Sequence, residues 1–401
     1  MARRNFEYNS QVPFNWETRK KYLDLPFPMS EYERRIQGVR EIMLQLGLDF
    51  VLVFGNAADY GDLVYISNFI PFGRAAVAIP RDGELAVVTD AILHGEPINS
   101  FAWMTWIKDF VPVTHDPQNF GSVLIEILSE RKPGRIGIVG VDNIPVRIWE
   151  LLKPLKVEFV DISFQFVSFK SVRSGLEIDL QREVGGITAS AMKEAIEMIS
   201  EGTSENEIAG AAYGAMFRGG AHDRSFQTIV NSGSRGGLKH SYPTGRKMQR
   251  GDLVYLDMGA MKYGYQCDMS RSVVIGGANT EQREVLDVIF NAYNTLTSMM
   301  VPGTRMSEIV TKARELEDKS GLRSKFRNTI YLGLIVHHAI ATSFFELPSL
   351  GAVDVVLQEN MSFAFEPMAH ILDFGTAVIE DTILITARGV ESLTPYQLVH
   401  W

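Results

Sequence analysis

The sequence predicts an α/β domain followed by an α+β domain that consists of two similar halves. Three observations support this. Strand-like and helical runs alternate in residues 1–170, two apolar hairpins in residues 171–401 each carry a pair of acids, and a Gly-Thr turn recurs about a hundred residues apart. The 401 residues allow two domains, and 46% hydrophobic residues are sufficient for two cores.

Composition argues against several classes of protein. The net charge is −9 and no basic run exceeds a pair such as Arg34-Arg35, so we expect neither nucleic-acid binding nor binding to a membrane surface. The one cysteine, Cys267, allows no internal disulfide, which is typical of a cytoplasmic protein. Residues 1–6 lead into polar sequence, so we expect no secretory signal, and no apolar run reaches the ~18 residues of a membrane helix.

The elements of the first domain follow from local patterns. Residues 1–29 are rich in proline, asparagine and charge and predict an irregular arm. Ser30 and Glu33 have the spacing of a capping box, which predicts a helix that ends at Gly47. Apolar runs predict strands at 50–54, 75–79, 85–89, 136–139 and 157–160, and helices at 123–128 and 146–152. This alternation is typical of an α/β domain.

The second domain opens with a long helix and then repeats itself. Polar residues at 169–175 mark the boundary, and the helical spacing of Leu180, Val184 and Ile187 follows. Gly202-Thr203 comes next, and the same dipeptide recurs as Gly303-Thr304. Each dipeptide follows a longer helical pattern and precedes a shorter one, so we predict two similar halves that each end in an acid-bearing hairpin.

The two hairpins place acids beside apolar strands. Asp257 and Asp268 flank the first hairpin, Glu366 and Glu380 flank the second, and His338 lies between the pairs in the chain. Burial of an ionised carboxylate costs several kcal/mol unless another charge compensates it. Carboxylates with an imidazole suit hard or borderline divalent cations, and two such cations balance four carboxylates. The pattern therefore predicts a dinuclear metal site.

This ligand series resembles that of the creatinase, prolidase and methionine aminopeptidase family. The family has Asp, a second Asp eleven residues later, His, Glu before Pro, and Glu before Asp-Thr. The matching residues here are Asp257, Asp268, His338, Glu366 and Glu380. The resemblance covers roughly residues 172–386, is weaker before them, and implies a creatinase-like N-terminal domain followed by a catalytic domain with the pita-bread fold.

The resemblance also implies how the site is used. Two divalent ions per chain, Mn, Co, Fe or Zn, would activate water for attack on an amide. Asp257 would bind one ion, Asp268 and Glu380 would bind both, and His338 and Glu366 would bind the other. The family pattern makes Glu366 the candidate proton shuttle as well.

Further roles follow from the same resemblance. His240 is implied as a contact to the substrate or the transition state. The implied partner is a dipeptide or another small-molecule substrate, and the habit of the family predicts a homodimer.

Three residues are candidates for the substrate pocket: His337, Phe345 and His370. His337 competes with His338 for the ligand role, but the spacing to residues 346–348 favours His338, and neighbours on an extended segment face opposite ways. His370 could line the pocket or lie on a loop. Proline-specific members have a histidine and an arginine where this chain has Phe345 and Val378, so we expect an apolar pocket wall.

Because these donors are absent, three functions stay open. The first is a metal-dependent hydrolase of a C–N bond, acting on an Xaa-Pro dipeptide or on a small non-peptide amide. The second is a metal-dependent lyase acting on a small zwitterion. The third is a non-catalytic binding protein with the same fold, which the complete set of acids disfavours.

Overall fold

The structure is a computed structural model that describes residues 16–92, 104–238, 240–335, 337–344, 346–349 and 354–401. The chain divides after Lys170 into two compact units. Among the described residues, no helix combines the length and the apolar character that crossing a membrane requires.

The first unit is built on one six-stranded sheet. Its strands are β1 (Phe50–Asn56), β2 (Arg74–Pro80), β3 (Ala86–Ile92), β4 (Asp109–Thr114), β5 (Arg135–Val139) and β6 (Glu158–Asp161). The order is β4-β3-β2-β1-β5-β6, with parallel pairs β3–β4, β1–β5 and β5–β6 and antiparallel pairs β1–β2 and β2–β3. The central strands are buried, as expected for a sheet that is covered on both faces.

Helices cover both faces of this sheet. They are α2 (Met29–Leu46), α3 (Gly61–Ser67), α4 (Pro117–Ser129), α5 (Val146–Leu152) and α6 (Ser163–Lys170), preceded by the short α1 (Trp16–Arg19). Val51 and Val53 belong to one apolar core with residues of α2, α3 and α6. Phe50 and Leu52 belong to a second core with residues of α4 and α5. Alternate residues of β1 therefore face opposite sides of the sheet, and helices pack on both sides, as predicted for an α/β unit.

The predicted capping box at the start of α2 is wrong. The helix begins at Met29 and its N-cap is Pro28, at φ −65° and ψ 156°, with no side-chain cap. Proline fixes a φ that leads into the first turn, so Ser30 falls inside the helix. The predicted end is confirmed, because Gly47 lies at φ 65°, in the left-handed region that favours glycine.

The second unit repeats a pair of helices. Its helices are α7 (Gly175–Glu197), α8 (Glu205–Arg218), α9 (Thr280–Met299), α10 (Met306–Ser320) and α11 (Leu322–Lys325). Gly202 joins α7 to α8 at φ 87°, and Gly303 joins α9 to α10 at φ 94°. The N–H of Gly202 donates to Met248 O and that of Gly303 donates to Leu357 O, both at 2.8 Å. The Gly-Thr repeat of the sequence is thus a repeat of structure.

Each helix pair is followed by an antiparallel sheet. The strands are β7 (Asp223–Arg224), β8 (Ile229–Ser232), β9 (Leu253–Met258), β10 (Ala260–Lys262), β11 (Tyr265–Gln266), β12 (Met269–Val274), β13 (Thr329–Gly333), β14 (His337–Ala339), β15 (Glu346–Ser349), β16 (Ser362–Phe365), β17 (Met368–Ile371), β18 (Gly375–Val378), β19 (Asp381–Thr386) and β20 (Gly389–Ser392). The two sheets that carry the acids are β12-β9-β8 and β15-β14-β16-β19-β20. This α+β unit of two halves is the predicted pita-bread domain.

Candidate metal centre

The two acid-bearing hairpins meet at Ser270 and Glu380. The N–H of Ser270 donates to Glu380 O at 3.3 Å, and the N–H of Glu380 donates to Ser270 O at 3.0 Å. Thr382 adds a second link, since its Oγ1 accepts from Asp268 N at 2.8 Å and donates to Asp268 O at 2.9 Å. These bonds fix the backbone of an acid from each half, so the two pairs of carboxylates lie side by side.

A buried arginine holds this junction together. Nη1 of Arg271 donates to Ser270 O at 2.8 Å and to Glu380 O at 2.6 Å, and Nη2 donates to Asp381 Oδ1 at 2.8 Å. Tyr293 donates to the other oxygen of Asp381 at 2.6 Å. Arg271 and Asp381 are both buried, so their charges neutralise each other behind the acid cluster.

The five predicted ligands converge in two groups whose ligand atoms lie within 4.8 Å of one another. One group is Asp268, His338 and Glu380, and the other is Asp257, Glu366 and Glu380. All five are at most 9% exposed. Glu380 belongs to both groups, a position that suits a shared ligand. Glu366 is grouped with Asp257 and Glu380, and its pairing with His338 on one ion, which the resemblance implies, stays a prediction.

Two hydroxyls beside the acids were not identified from the sequence. Oγ of Ser270 donates to Glu380 Oε2 at 2.7 Å and lies 3.4 Å from Glu366 Oε1. The phenol of Tyr255 donates to Asp257 Oδ2 at 2.7 Å. Side chains alternate along a strand, so residues two positions apart share a face. The two-residue spacing of Tyr255 and Asp257 in the sequence could therefore have predicted that the tyrosine lies beside the acid.

Burial shifts the pKa of Asp257, Asp268, Glu380 and His338. Loss of hydration raises the pKa of Asp257 to about 6. It raises the pKa of Asp268 and of Glu380 well above the ordinary range, and repulsion from neighbouring carboxylates adds to both shifts. Burial also lowers the pKa of His338 to about 4, so its imidazole is neutral at pH 7 and offers a lone pair to a metal.

The cluster fits divalent cations. Asp257 Oδ1 and Asp268 Oδ1 are buried and have no hydrogen-bond partner in the part of the chain that the structure describes. Unsatisfied buried acceptors are uncommon in folded proteins and need an explanation. His338 Nε2 is 3.6 Å from Asp268 Oδ2, so imidazole and carboxylate face the same point. Oxygen donors with one imidazole suit Mn, Co, Fe or Zn, and a cation there would satisfy the two oxygens.

The other predicted histidines have different surroundings. His337 packs edge-on against Phe363, a buried residue of β16, with ring centroids 5.9 Å apart. His370 is fully buried, with Nδ1 2.5 Å from Thr376 Oγ1 and its ring against Tyr255. Both histidines thus contact buried neighbours. Their role in the substrate pocket stays a prediction.

His240 lies on an exposed turn that a buried acid holds in place. Oε1 of Glu205 accepts from the N–H and Oγ of Ser232, and Oε2 accepts from the N–H and Oγ1 of Thr244, at 2.7–3.0 Å. Both ends of the turn are therefore anchored to the first residue of α8. Neither ligand group includes His240, whose φ is 53°. Its catalytic role stays a prediction.

The predicted apolar wall involves Phe345 and Val378. Phe345 lies outside the described residues. Val378 is fully buried and shares a small apolar cluster with Tyr255. The place of both residues in a pocket wall stays a prediction.

A pita-bread domain that buries four carboxylates and an imidazole around shared points defines a metallohydrolase. Residues 179–387 match metallopeptidase family M24, and residues 35–169 match the creatinase/prolidase N-terminal domain. The chain belongs to metallopeptidase family M24, and it is a metal-dependent hydrolase of peptide bonds.

Proteins similar to this chain in sequence or structure include Xaa-Pro dipeptidases and a prolidase. The Xaa-Pro dipeptidase of Pyrococcus furiosus is 32% identical over 238 residues, which are 59% of this chain and 67% of that protein. The Xaa-Pro dipeptidase of Pyrococcus horikoshii is 31% identical over 249 residues, 62% of this chain and 69% of that protein. The crystal structure of the prolidase from Pyrococcus horikoshii OT3 has a TM-score of 0.77 and 25% identity, and the match covers 91% of this chain and 99% of that one.

Proposed function

We propose that this chain is a dinuclear hydrolase similar to Xaa-Pro dipeptidases. The proposed ligands are Asp257, Asp268, His338, Glu366 and Glu380. The observation that carries this proposal is the pair of buried ligand groups that share Glu380. The names of the relatives, Xaa-Pro dipeptidase and prolidase, support a dipeptide substrate.

The residues of the site have separate proposed roles. The five ligands would hold two divalent cations, which would polarise the scissile carbonyl and activate water. Glu366 accepts a proton from the attacking water and returns it to the leaving amine. His240 donates to the developing oxyanion, and the loop ends anchored by Glu205 hold it in position. His338 stays neutral because it is buried, so it binds as an imidazole.

Two substrate classes are candidates for this site. Val378 offers no side-chain donor to a peptide carboxylate, so a small non-peptide amide competes with an Xaa-Pro dipeptide. The resemblance to a dimeric family leads us to propose a homodimer, which light scattering on the purified protein tests.

The decisive experiment combines metal analysis with product analysis. Purified protein is expected to hold about two divalent ions per chain. After reconstitution with Mn²⁺ it is expected to hydrolyse an Xaa-Pro dipeptide or an N-alkylated amide, so in H₂¹⁸O the new carboxylate carries ¹⁸O. A lyase would instead yield an elimination product without ¹⁸O, and wild-type protein without metal would contradict the dinuclear site.

A matched pair of variants tests the ligand assignment. Glu380→Gln is expected to lose both metal and activity because it removes the shared carboxylate. Glu391→Gln is the control, since Glu391 is a half-exposed acid in β20 that pairs with Arg182 outside the cluster. Equal metal content in the two variants would contradict the assignment.

A further inference from the structure

Tyr255 is a polar residue in apolar surroundings next to the acid cluster. It is 1% exposed, and its ring packs with Ile229, Met368, Val378 and Tyr331. A buried tyrosine normally needs a partner for its hydroxyl. That partner is Asp257 Oδ2, which accepts its hydrogen bond at 2.7 Å.

This hydrogen bond leaves the two oxygens of Asp257 unequal. Oδ2 accepts from the phenol, whereas Oδ1 is buried and lacks a hydrogen-bond partner among the described residues. Tyr255 and Asp257 are two positions apart in β9, so both side chains lie on one face, and the rigid ring fixes the reach of the hydroxyl. The phenol therefore restrains the orientation of the carboxylate, while both of its oxygens keep a lone pair for a cation.

The other acids are held in different ways. Ser270 donates to Glu380 Oε2, and the backbone of Asp268 is bonded to Thr382. Asp257 is oriented by Tyr255, whose ring lies in the apolar cluster. The packing around its ring makes this orientation stiff, since the ring has no room to turn away.

We propose that Tyr255 is a positioning residue that orients the carboxylate of Asp257 for cation binding, and so sets the affinity of one of the two metal positions. This inference rests on the proposed dinuclear site. Hydrogen bonds from outside the ligand shell orient metal ligands, and their loss typically costs about 10–100-fold in metal affinity. Without the hydroxyl, the carboxylate of Asp257 loses this restraint and is free to rotate.

The test is a metal titration of Tyr255→Phe. Metal-free protein is titrated with Mn²⁺ by calorimetry, and with Co²⁺ by visible absorption, which reports coordination geometry. We expect one of the two binding events to weaken by about 10–100-fold and the Co²⁺ spectrum of that position to change. The other binding event keeps the wild-type affinity.

Tyr265→Phe is the matched control. Its hydroxyl makes a buried bond of the same kind, to Glu177 Oε1 at 2.8 Å, and neither residue belongs to the ligand groups. We expect this variant to lose a similar amount of thermal stability and to bind both ions like the wild type. If Tyr255→Phe matches the wild type in both titrations, the positioning role is refuted. If the wild type binds fewer than two ions, the dinuclear proposal itself fails.

Discussion

His337 and His338 show how one position along a strand separates two roles. The two imidazoles have the same lowered pKa, about 4, because both are buried. Only His338 points at a carboxylate, with Nε2 3.6 Å from Asp268 Oδ2, whereas His337 packs on Phe363. Electrostatics alone does not distinguish them, so the direction of the side chain decides which one can bind a metal.

Alanine at each histidine tests this distinction. We expect His338→Ala to lower the bound metal from about two ions to about one, and to reduce activity by more than the roughly 100-fold typical of an outer-shell loss. His337→Ala is expected to keep both ions and to lose about 1–3 kcal/mol of stability, because it leaves a cavity against Phe363. Metal analysis and thermal melts measure both effects. Equal loss of metal from the two variants would contradict the assignment of His338.

Elements with strong local signals could be predicted from the sequence. The Gly-Thr turns need a residue at positive φ, and the acids interrupt runs of strand formers, so the repeat and both hairpins were visible. Strand β4 was missed because Pro112 lies within it, which only an edge strand tolerates, and β4 is the edge. Helix α6 was missed because Phe164 is exposed and the apolar residues form no single face.

Contacts between the hairpins could not be predicted. The exchange of hydrogen bonds between Ser270 and Glu380 joins segments about a hundred residues apart, and no local pattern records its register. The same holds for Arg271, which appears in the sequence only as a charge within a strand. The composition of the ligand set was therefore predictable, whereas the side chains that orient it were not.

Arg271 is expected to be essential to the junction of the two halves. Arg271→Met removes its bonds to Ser270 O and Glu380 O and leaves the carboxylate of Asp381 buried without its cation. We expect a loss of about 3–5 kcal/mol in the free energy of unfolding, measured by urea denaturation.

Arg182→Gln is the control for this experiment. Arg182 pairs with Glu391, but the two side chains are 46% and 37% exposed, so the loss should stay below about 1 kcal/mol. Comparable losses in the two variants would show that Arg271 does not hold the hairpins together.

On the scale of the whole molecule, the fold concentrates negative charge that the protein alone does not neutralise. Four carboxylates from both halves converge, and the nearby Arg271 is paired with Asp381. The metal-free protein reduces this repulsion by protonation, as the raised pKa values of Asp257, Asp268 and Glu380 indicate. Cations would neutralise the same charge without protons, so metal binding and proton binding compete for one cluster.

This competition predicts an unusual pH dependence for the metal-free protein. Asp257 has a pKa of about 6 in the folded chain and 3.8 as its ordinary value, so around pH 5 the folded state holds a proton that the unfolded chain has lost. Stability from this group is complete below about pH 4 and falls as the pH rises toward 6, by roughly 3 kcal/mol in total. The pKa values of Asp268 and Glu380 are also raised in the folded chain, so their contributions to stability fall with rising pH as well. They extend the decline to higher pH.

Thermal melts of chelator-treated protein between pH 5 and pH 7.5 measure this decline, and Asp257→Asn separates it from the titration of the rest of the chain. The asparagine cannot ionise, so the variant is expected to lose less stability over this range than the metal-free wild type. Mn²⁺ is expected to raise the melting temperature of the wild type most at the upper end of the range, where the carboxylates must otherwise be buried as ions. Wild type and variant with the same pH slope would show that the charge on Asp257 does not oppose folding, and the electrostatic case for a cation at this position would fail.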